Sequence, residues 1–275
     1  YDRDEAASNI AYVTMAMVVA PMVAPTIGGY LDVWTGWQGG FYFSAAVGAI
    51  VWIAAVFRLY ETRPASNESG QLDPFDFFRK SAQLLKEPAF IGYAFNVAFG
   101  SGIFFSFLAG APFIVISIFG GTAGDYGNYF IFIAFSYMCG NFFAGRFARR
   151  LGANFMIMMG SAITMFGLAI MLTGAITGGF NLYWLFGAMS VIAVSNGLTI
   201  PSGTAAAISV RPDILGTGAG LSGFFQIGVG ALATYLVGVF HDGTYWPMIL
   251  VMVGTGTVSF LFMLMALKTA RDQAA

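Results

Sequence analysis

Apolar residues run along this chain in long blocks, each broken by a short polar or charged segment. Eight blocks stand out, at 9–31, 38–59, 89–118, 127–147, 154–176, 182–208, 214–240 and 245–267. A helix that crosses the hydrocarbon core of a bilayer needs about 20 predominantly apolar residues, and each block meets that length. The blocks do not alternate with period two, so they do not read as strands of a membrane barrel. The pattern predicts an all-α integral membrane protein with eight transmembrane helices. The third block is long for one span, and Gly110, Ala111 and Pro112 are expected to bend or break it near one end.

The polar segments between the blocks give a direction. Numbered from the N-terminus, the odd segments hold Arg3; Arg58, Arg63, Arg79, Lys80 and Lys86; Arg146, Arg149 and Arg150; Arg211; and Lys268 and Arg271. These are all 12 cationic residues of the chain. The even segments hold none, only Asp32, Asp125 and Asp242. Cationic loops stay in the cytoplasm. The alternation therefore predicts a multi-pass inner-membrane protein with both ends of the chain cytoplasmic. In the long loop 60–87, the stretch DPFDFFRKSAQLLK places Asp73 as an N-cap and Pro74 at the first helical position. Phe77, Phe78, Leu84 and Leu85 alternate there with Asp76, Arg79, Lys80 and Lys86, which predicts a short helix on the cytoplasmic membrane face.

Composition sharpens the class. Of 275 residues, 58% are hydrophobic and 9% charged, against about 25% charged in soluble domains. One cysteine, Cys139, leaves no CxxC metal site, and one histidine, His241, leaves no HExxH motif or His-based catalytic cluster. A membrane enzyme is thereby disfavoured, no metal is expected, and no GxxxxGK[ST] loop is present to serve a nucleotide-driven pump. The chain opens on Tyr1 and the charged stretch DRDE without a signal-peptide pattern, and reads as a piece lacking its N-terminal part.

Within the first block the stretch APMVAPTIGGYL, residues 20–31, places the poorest helix formers mid-span. An interior proline costs about 3 kcal/mol and a glycine about 1 kcal/mol. On a helix, Ala20, Ala24 and Gly28 form one stripe, with Pro21, Pro25 and Gly29 beside it. Such a nearly bare face lets another backbone come close. It serves either as a kinked packing surface or as a helix that slides on a partner during a conformational cycle.

This stretch resembles the antiporter motif in the fifth helix of major facilitator superfamily drug exporters. Pro25, Gly28 and Gly29 match that motif, Ala20 and Ala24 replace its first two glycines, and Pro21 is similar to the bicyclomycin- and chloramphenicol-resistance branch. GRFARRLGANF, at 145–155, resembles the loop signature of the C-terminal half through Gly145, Arg149, Arg150 and Gly152; the family's acidic position is not matched. GAPF at 110–113 and the following DYGNYF are also similar to that branch. The resemblance implies a twelve-helix major facilitator fold, of which residues 1–59 would be the last two helices of the N-terminal bundle, 60–87 the central loop and 88–275 a complete C-terminal six-helix bundle. About four helices would precede the chain. It further implies a secondary transporter, without cofactor, that exports small amphipathic compounds in exchange for protons. Its partners would be a small-molecule substrate, protons and the lipid bilayer; it would bind no nucleic acid and act as a monomer. An uptake symporter and a non-transporting receptor or scaffold are the alternatives.

No predicted span carries a charged residue in its interior, so no proton-coupling side chain is named here. Neutral polar and aromatic residues supply the candidates for a substrate cavity: Asn96, Phe104, Tyr137, Asn141, Asn196, Ser222 and Gln226. Interhelical hydrogen bonding is the competing role for each polar member. Gly197 and Pro201 would loosen the sixth block, and glycines at 216, 220, 223, 228 and 230 recur along the seventh.

Overall fold

A computed structural model describes residues 24–58 and 74–274. Among them no strand occurs, and helices account for nearly all of the chain. Helix α1 covers 24–35, followed by α2 (Gln38–Arg58), α3 (Pro74–Leu84), α4 (Pro88–Phe113), α5 (Ala123–Leu151), α6 (Ala153–Thr177), α7 (Leu182–Ser209), α8 (Leu215–Val239) and α9 (Trp246–Ala274). Seven helices among the described residues are long and apolar enough to cross a membrane. The eighth expected span, 9–31, begins outside the described residues, as do Asp73 and most of the 60–87 loop.

The expected break in the third block takes the form of a change of helical pitch. Pro112 has no N–H for the Leu108 carbonyl, and the helix continues through a π-helical segment, Ile114–Ile118, closed by the Phe119 amide on the Ile114 carbonyl at 3.0 Å. The turn that follows ends at Gly121, whose amide donates to the Val115 carbonyl at 2.9 Å. Asp125 lies in the first turn of α5. It forms a capping box with Thr122, accepting from the Thr122 amide at 2.8 Å while its own amide donates to the Thr122 hydroxyl at 3.1 Å. Helices α5 and α6 are joined by Gly152 alone, with φ at +83°, a backbone conformation that side-chain-bearing residues rarely adopt.

Helix α4 is the hub of the bundle. It packs against α7, α8 and α9, while α7 also packs against α5 and α6. Half of the most apolar stretch of α4 and 61% of that of α7 are buried, whereas that of α2 is wholly unburied. The amphipathic helix α3 begins at Pro74 as expected and packs on α8; Leu84 is buried against it and Phe78 is exposed.

Burial is layered along the bundle. One apolar cluster, including Phe107, Phe130, Met171, Leu185, Met189 and Met252, fills the end at which α5 begins. A second, with Leu84, Phe90, Ile157, Ala207, Met263 and Ala266, fills the end bearing α3. Between the two lies a belt of buried polar residues contributed by α4, α6, α7, α8 and α9: Asn96, Ser101, Ser161, Thr164, Ser195, Asn196, Thr199, Ser222, Thr255 and Ser259. Polar groups at mid-depth have no water to satisfy them, so they must find one another.

Candidate functional site

The antiporter-like stretch is described from Ala24 onward; Ala20 and Pro21 lie outside the described residues. Its helix docks on the first turns of α5. A Cβ at Gly29 would stand 2.5 Å from the Ala123 carbonyl oxygen, and one at Gly127 would stand 3.1 Å from the Thr26 Cα and 3.3 Å from the Pro25 carbonyl oxygen. Two hydrogen bonds flank this contact. The Thr26 hydroxyl donates to the Gly127 carbonyl at 2.9 Å, and the Tyr30 hydroxyl to the Asn128 side-chain oxygen at 2.8 Å.

Only one of the two small stripes makes this approach. Pro25 and Gly29 face α5, whereas Ala24 is exposed and no atom lies within 4 Å of a Cβ placed on Gly28. The partner surface on α5 is equally bare, since Ala123, Gly124 and Gly127 leave room for the crossing backbone. The DYGNYF stretch is therefore the face that receives the proline–glycine helix.

The seven cavity candidates differ in burial. Asn96 is fully buried at the centre of the polar belt. Its Nδ2 donates towards the Ser259 carbonyl at 3.0 Å, the Ser259 hydroxyl at 3.1 Å and the Ser161 hydroxyl at 3.4 Å, and the Ser259 hydroxyl donates back to the Asn96 carbonyl at 2.8 Å. It ties α4 to α6 and α9. Asn196 is buried beside Gly100 of α4, and Ser222 is buried on α8. Phe104 packs edge-on against Phe130 of α5, with ring centroids 6.3 Å apart.

The remaining candidates occupy partly buried positions. Gln226 donates to the Ser101 hydroxyl across the α4–α8 contact at 2.7 Å. Asn141 donates back to the Tyr137 carbonyl at 3.0 Å, one turn earlier on α5. These two residues flank a close crossing. A Cβ on Gly197 of α7 would come within 2.5 Å of the Tyr137 carbonyl oxygen and 2.7 Å of the Asn141 amide nitrogen, and Gly140 stands opposite. Pro201, one turn on, has no N–H to offer the Gly197 carbonyl, so α7 is loosened where it touches α5.

Sequence reasoning singled out Gly197 and Pro201 but not their partner Gly140, nor Ser101, Ser161, Thr199 and Ser259 of the belt. Single serines and glycines are common in apolar spans, and their value becomes visible only when the facing helix is known. Among the buried side chains without a hydrogen-bond partner are the Asn96 Oδ1, Thr199 Oγ1 and Ser222 Oγ atoms of the belt. The loop-signature residues sit at the α5–α6 turn: Gly152 makes the turn, Arg150 is exposed and Gly145 has open space around it.

Among the described residues, charge lies towards the ends of the long helices. Arg211 forms a two-pronged pair with Asp213, at 2.9 and 2.7 Å, and approaches Glu87 at 3.8 Å, joining the α7–α8 turn to the start of α4. At the opposite end, Asp242 accepts from the Thr244 hydroxyl at 2.7 Å and the Thr244 amide at 2.9 Å, which holds its carboxyl below the ordinary carboxylate range. Among the described residues, no group of three or more His, Cys, Asp and Glu side chains could hold a metal ion.

These features define a multi-pass helical membrane protein with a small-residue helix crossing at one end and a polar belt at mid-depth. A profile of the Major Facilitator Superfamily matches residues 1–234, and the chain belongs to that superfamily. It is 27% identical over 263 residues to a bicyclomycin resistance protein homolog of Haemophilus influenzae, covering 95% of this chain and 65% of that relative. It is 25% identical over 245 residues to an uncharacterized MFS-type transporter, YdgK, of Bacillus subtilis, covering 88% of this chain and 60% of that one. A 127-residue stretch is 28% identical to the multidrug resistance protein MdtL of Salmonella paratyphi B, covering 46% of this chain and 31% of that protein. The chain thus spans less than two thirds of the length of these relatives.

Proposed function

We propose that this chain is the exporting core of a drug-efflux transporter that exchanges small amphipathic compounds for protons. The observation that carries the proposal is the backbone-level contact between Gly29 and Ala123, made by a helix with a mid-span proline. Helices that meet without intervening side chains can shift along one another at little steric cost, which alternating access between two bundles requires. The names of the relatives, bicyclomycin resistance and multidrug resistance, support the same direction of transport.

In this proposal α1 and α2 belong to the N-terminal bundle, residues 60–87 to the connecting loop and α4–α9 to the C-terminal bundle. Both ends of the chain are cytoplasmic. Gln226, Tyr137 and Asn141 line the substrate path with Phe104, while Asn96 ties α4 to α6 and α9 and Asn196 and Ser222 lie buried within the bundle. The partly buried groups offer hydrogen bonds and aromatic surface without charge, which suits neutral or weakly polar cargo.

The test is efflux by the full-length transporter in everted membrane vesicles, with bicyclomycin and a lipophilic cation dye as probes. Accumulation that follows the imposed proton gradient and collapses with a protonophore is the expected outcome. Accumulation indifferent to the protonophore, or movement in the uptake direction only, would overturn it.

A further inference from the structure

The cavity that the polar belt does not explain lies on the flank of the bundle, between α6 and α9. It is a groove of about 560 Å³ lined by Met158 and Ala162 of α6 and by Phe260, Met263, Leu264, Leu267 and Lys268 of α9. Its origin is geometric. The two helices touch near Gly256, where the absence of a side chain lets Leu168 and Met165 close in. One to three turns further along α9 the contact is no longer sealed, because Ala162 is too small to fill the gap. Met263 forms a buried floor, while Met158 and Leu264 are 41% and 48% exposed on the walls.

Every lining residue but one is apolar. The exception, Lys268, stands at the end of the groove and is exposed. Arg211 is held by Asp213 and approached by Glu87, whereas Lys268 takes part in no ion pair with another described residue. Arg150 at the α5–α6 turn and Arg271, three residues beyond Lys268 in sequence, share the segments that the cation pattern assigns to one membrane face. A trough with flexible methionine and leucine walls on the flank of two membrane-spanning helices, ending in an ammonium near the end of the last helix, has the form of a lipid site. The volume falls in the range of about 300–1,000 Å³ typical of specific small-molecule sites.

We infer that this groove binds an anionic glycerophospholipid, with one acyl chain lying over Met263 between Met158 and Leu264 and the phosphate paired with Lys268. A zwitterionic lipid would fill the same trough but gain less at Lys268, because its own cationic headgroup competes for the phosphate. The site lies on the outer flank of the bundle, apart from the α1–α5 contact. Its occupancy is independent of which compound is transported.

The experiment is native mass spectrometry of the purified full-length protein in detergent, titrated separately with dioleoyl phosphatidylglycerol and dioleoyl phosphatidylcholine. Tighter retention of phosphatidylglycerol is expected. Lys268→Gln should lower phosphatidylglycerol affinity about fivefold, the effect of one cation at a lipid surface, and leave phosphatidylcholine unchanged. Ala162→Trp, which fills the trough, should remove tight binding of both lipids. Phe142→Trp, on the exposed surface of α5, should change neither. Equal retention of the two lipids, an unchanged preference in Lys268→Gln, or the same loss in Phe142→Trp would overturn the proposal. A dimer that disappears in Ala162→Trp with lipid retention intact would assign the groove to a second copy of the chain and overturn it too. If Ala162→Trp does not fold, the Lys268→Gln comparison alone decides.

Discussion

Gly29 and Ala123 meet backbone to backbone: a single Cβ on the glycine would come to 2.5 Å from the alanine carbonyl oxygen. The carbonyl belongs to the first turn of α5 and cannot swing aside as a side chain could. Gly29→Leu is therefore expected to push α1 off α5, and overpacking of this kind typically costs about 1–3 kcal/mol. Unequal distribution of that cost between two access states changes their ratio about tenfold per 1.4 kcal/mol. Normal membrane insertion with lost efflux is the expected phenotype in the full-length transporter. Gly28→Leu enters open space and should retain most activity. Equal efflux from the Gly28 and Gly29 variants would show that the contact has no part in transport.

The crossing of α5 and α7 should be the least forgiving point of the bundle. A methyl group at Gly197 would meet two backbone atoms, the Tyr137 carbonyl oxygen at 2.5 Å and the Asn141 amide nitrogen at 2.7 Å. Gly197→Ala is expected to lower stability by about 1–3 kcal/mol, despite the higher helix propensity of alanine. Gly223→Ala, where no atom lies within 4 Å of the new Cβ, should be neutral or raise stability by up to about 1 kcal/mol. Thermal unfolding in detergent, followed by circular dichroism, separates the two; comparable melting temperatures would contradict the crossing.

Asn96 and Ser259 are predicted to be energetically coupled. Two hydrogen bonds run from the Asn96 amide to Ser259 and one returns from the Ser259 hydroxyl, all at 3.1 Å or less. Interhelical hydrogen bonds in membrane proteins average about 0.6 kcal/mol and reach about 1.7 kcal/mol in double-mutant cycles. A pair joined by three such bonds should fall in the upper part of that range. Asn96→Ala, Ser259→Ala and their combination, measured by unfolding, give the coupling directly; additive losses would place Asn96 in the substrate path instead.

Orientation can be read with reporters. A cytoplasmically active reporter fused after Ala275 should be active, and tags inserted at Gly121 or Gly178 should be reached from outside the cell. Both glycines lie at turns of the same end of the bundle, Gly178 with φ at +73°, so short insertions there disturb no helix. An external signal at the C-terminus would reverse the assignment of every loop.

The sequence by itself determined what depends on local transfer energy. Spans α2 and α4–α9 fall within a few residues of the apolar blocks, and α3 begins at Pro74, because burying an apolar run in lipid and starting a helix on proline are decided within that run. A resemblance to the superfamily was also legible, carried by the proline and glycine pattern of residues 20–31 and the glycine–arginine stretch at 145–155, and the family profile bears it out. Only the tertiary structure decided which of two equally bare stripes, the one with Gly28 or the one with Gly29, would meet a partner. It also decided that the Asn96 amide would donate to Ser259 and Ser161, and that Ala162 would leave a groove above Met263. Each of these outcomes turns on the identity of a residue on another helix dozens of positions away. A chain records its own periodicity everywhere, but it does not record which face will be opposite which until the helices have packed.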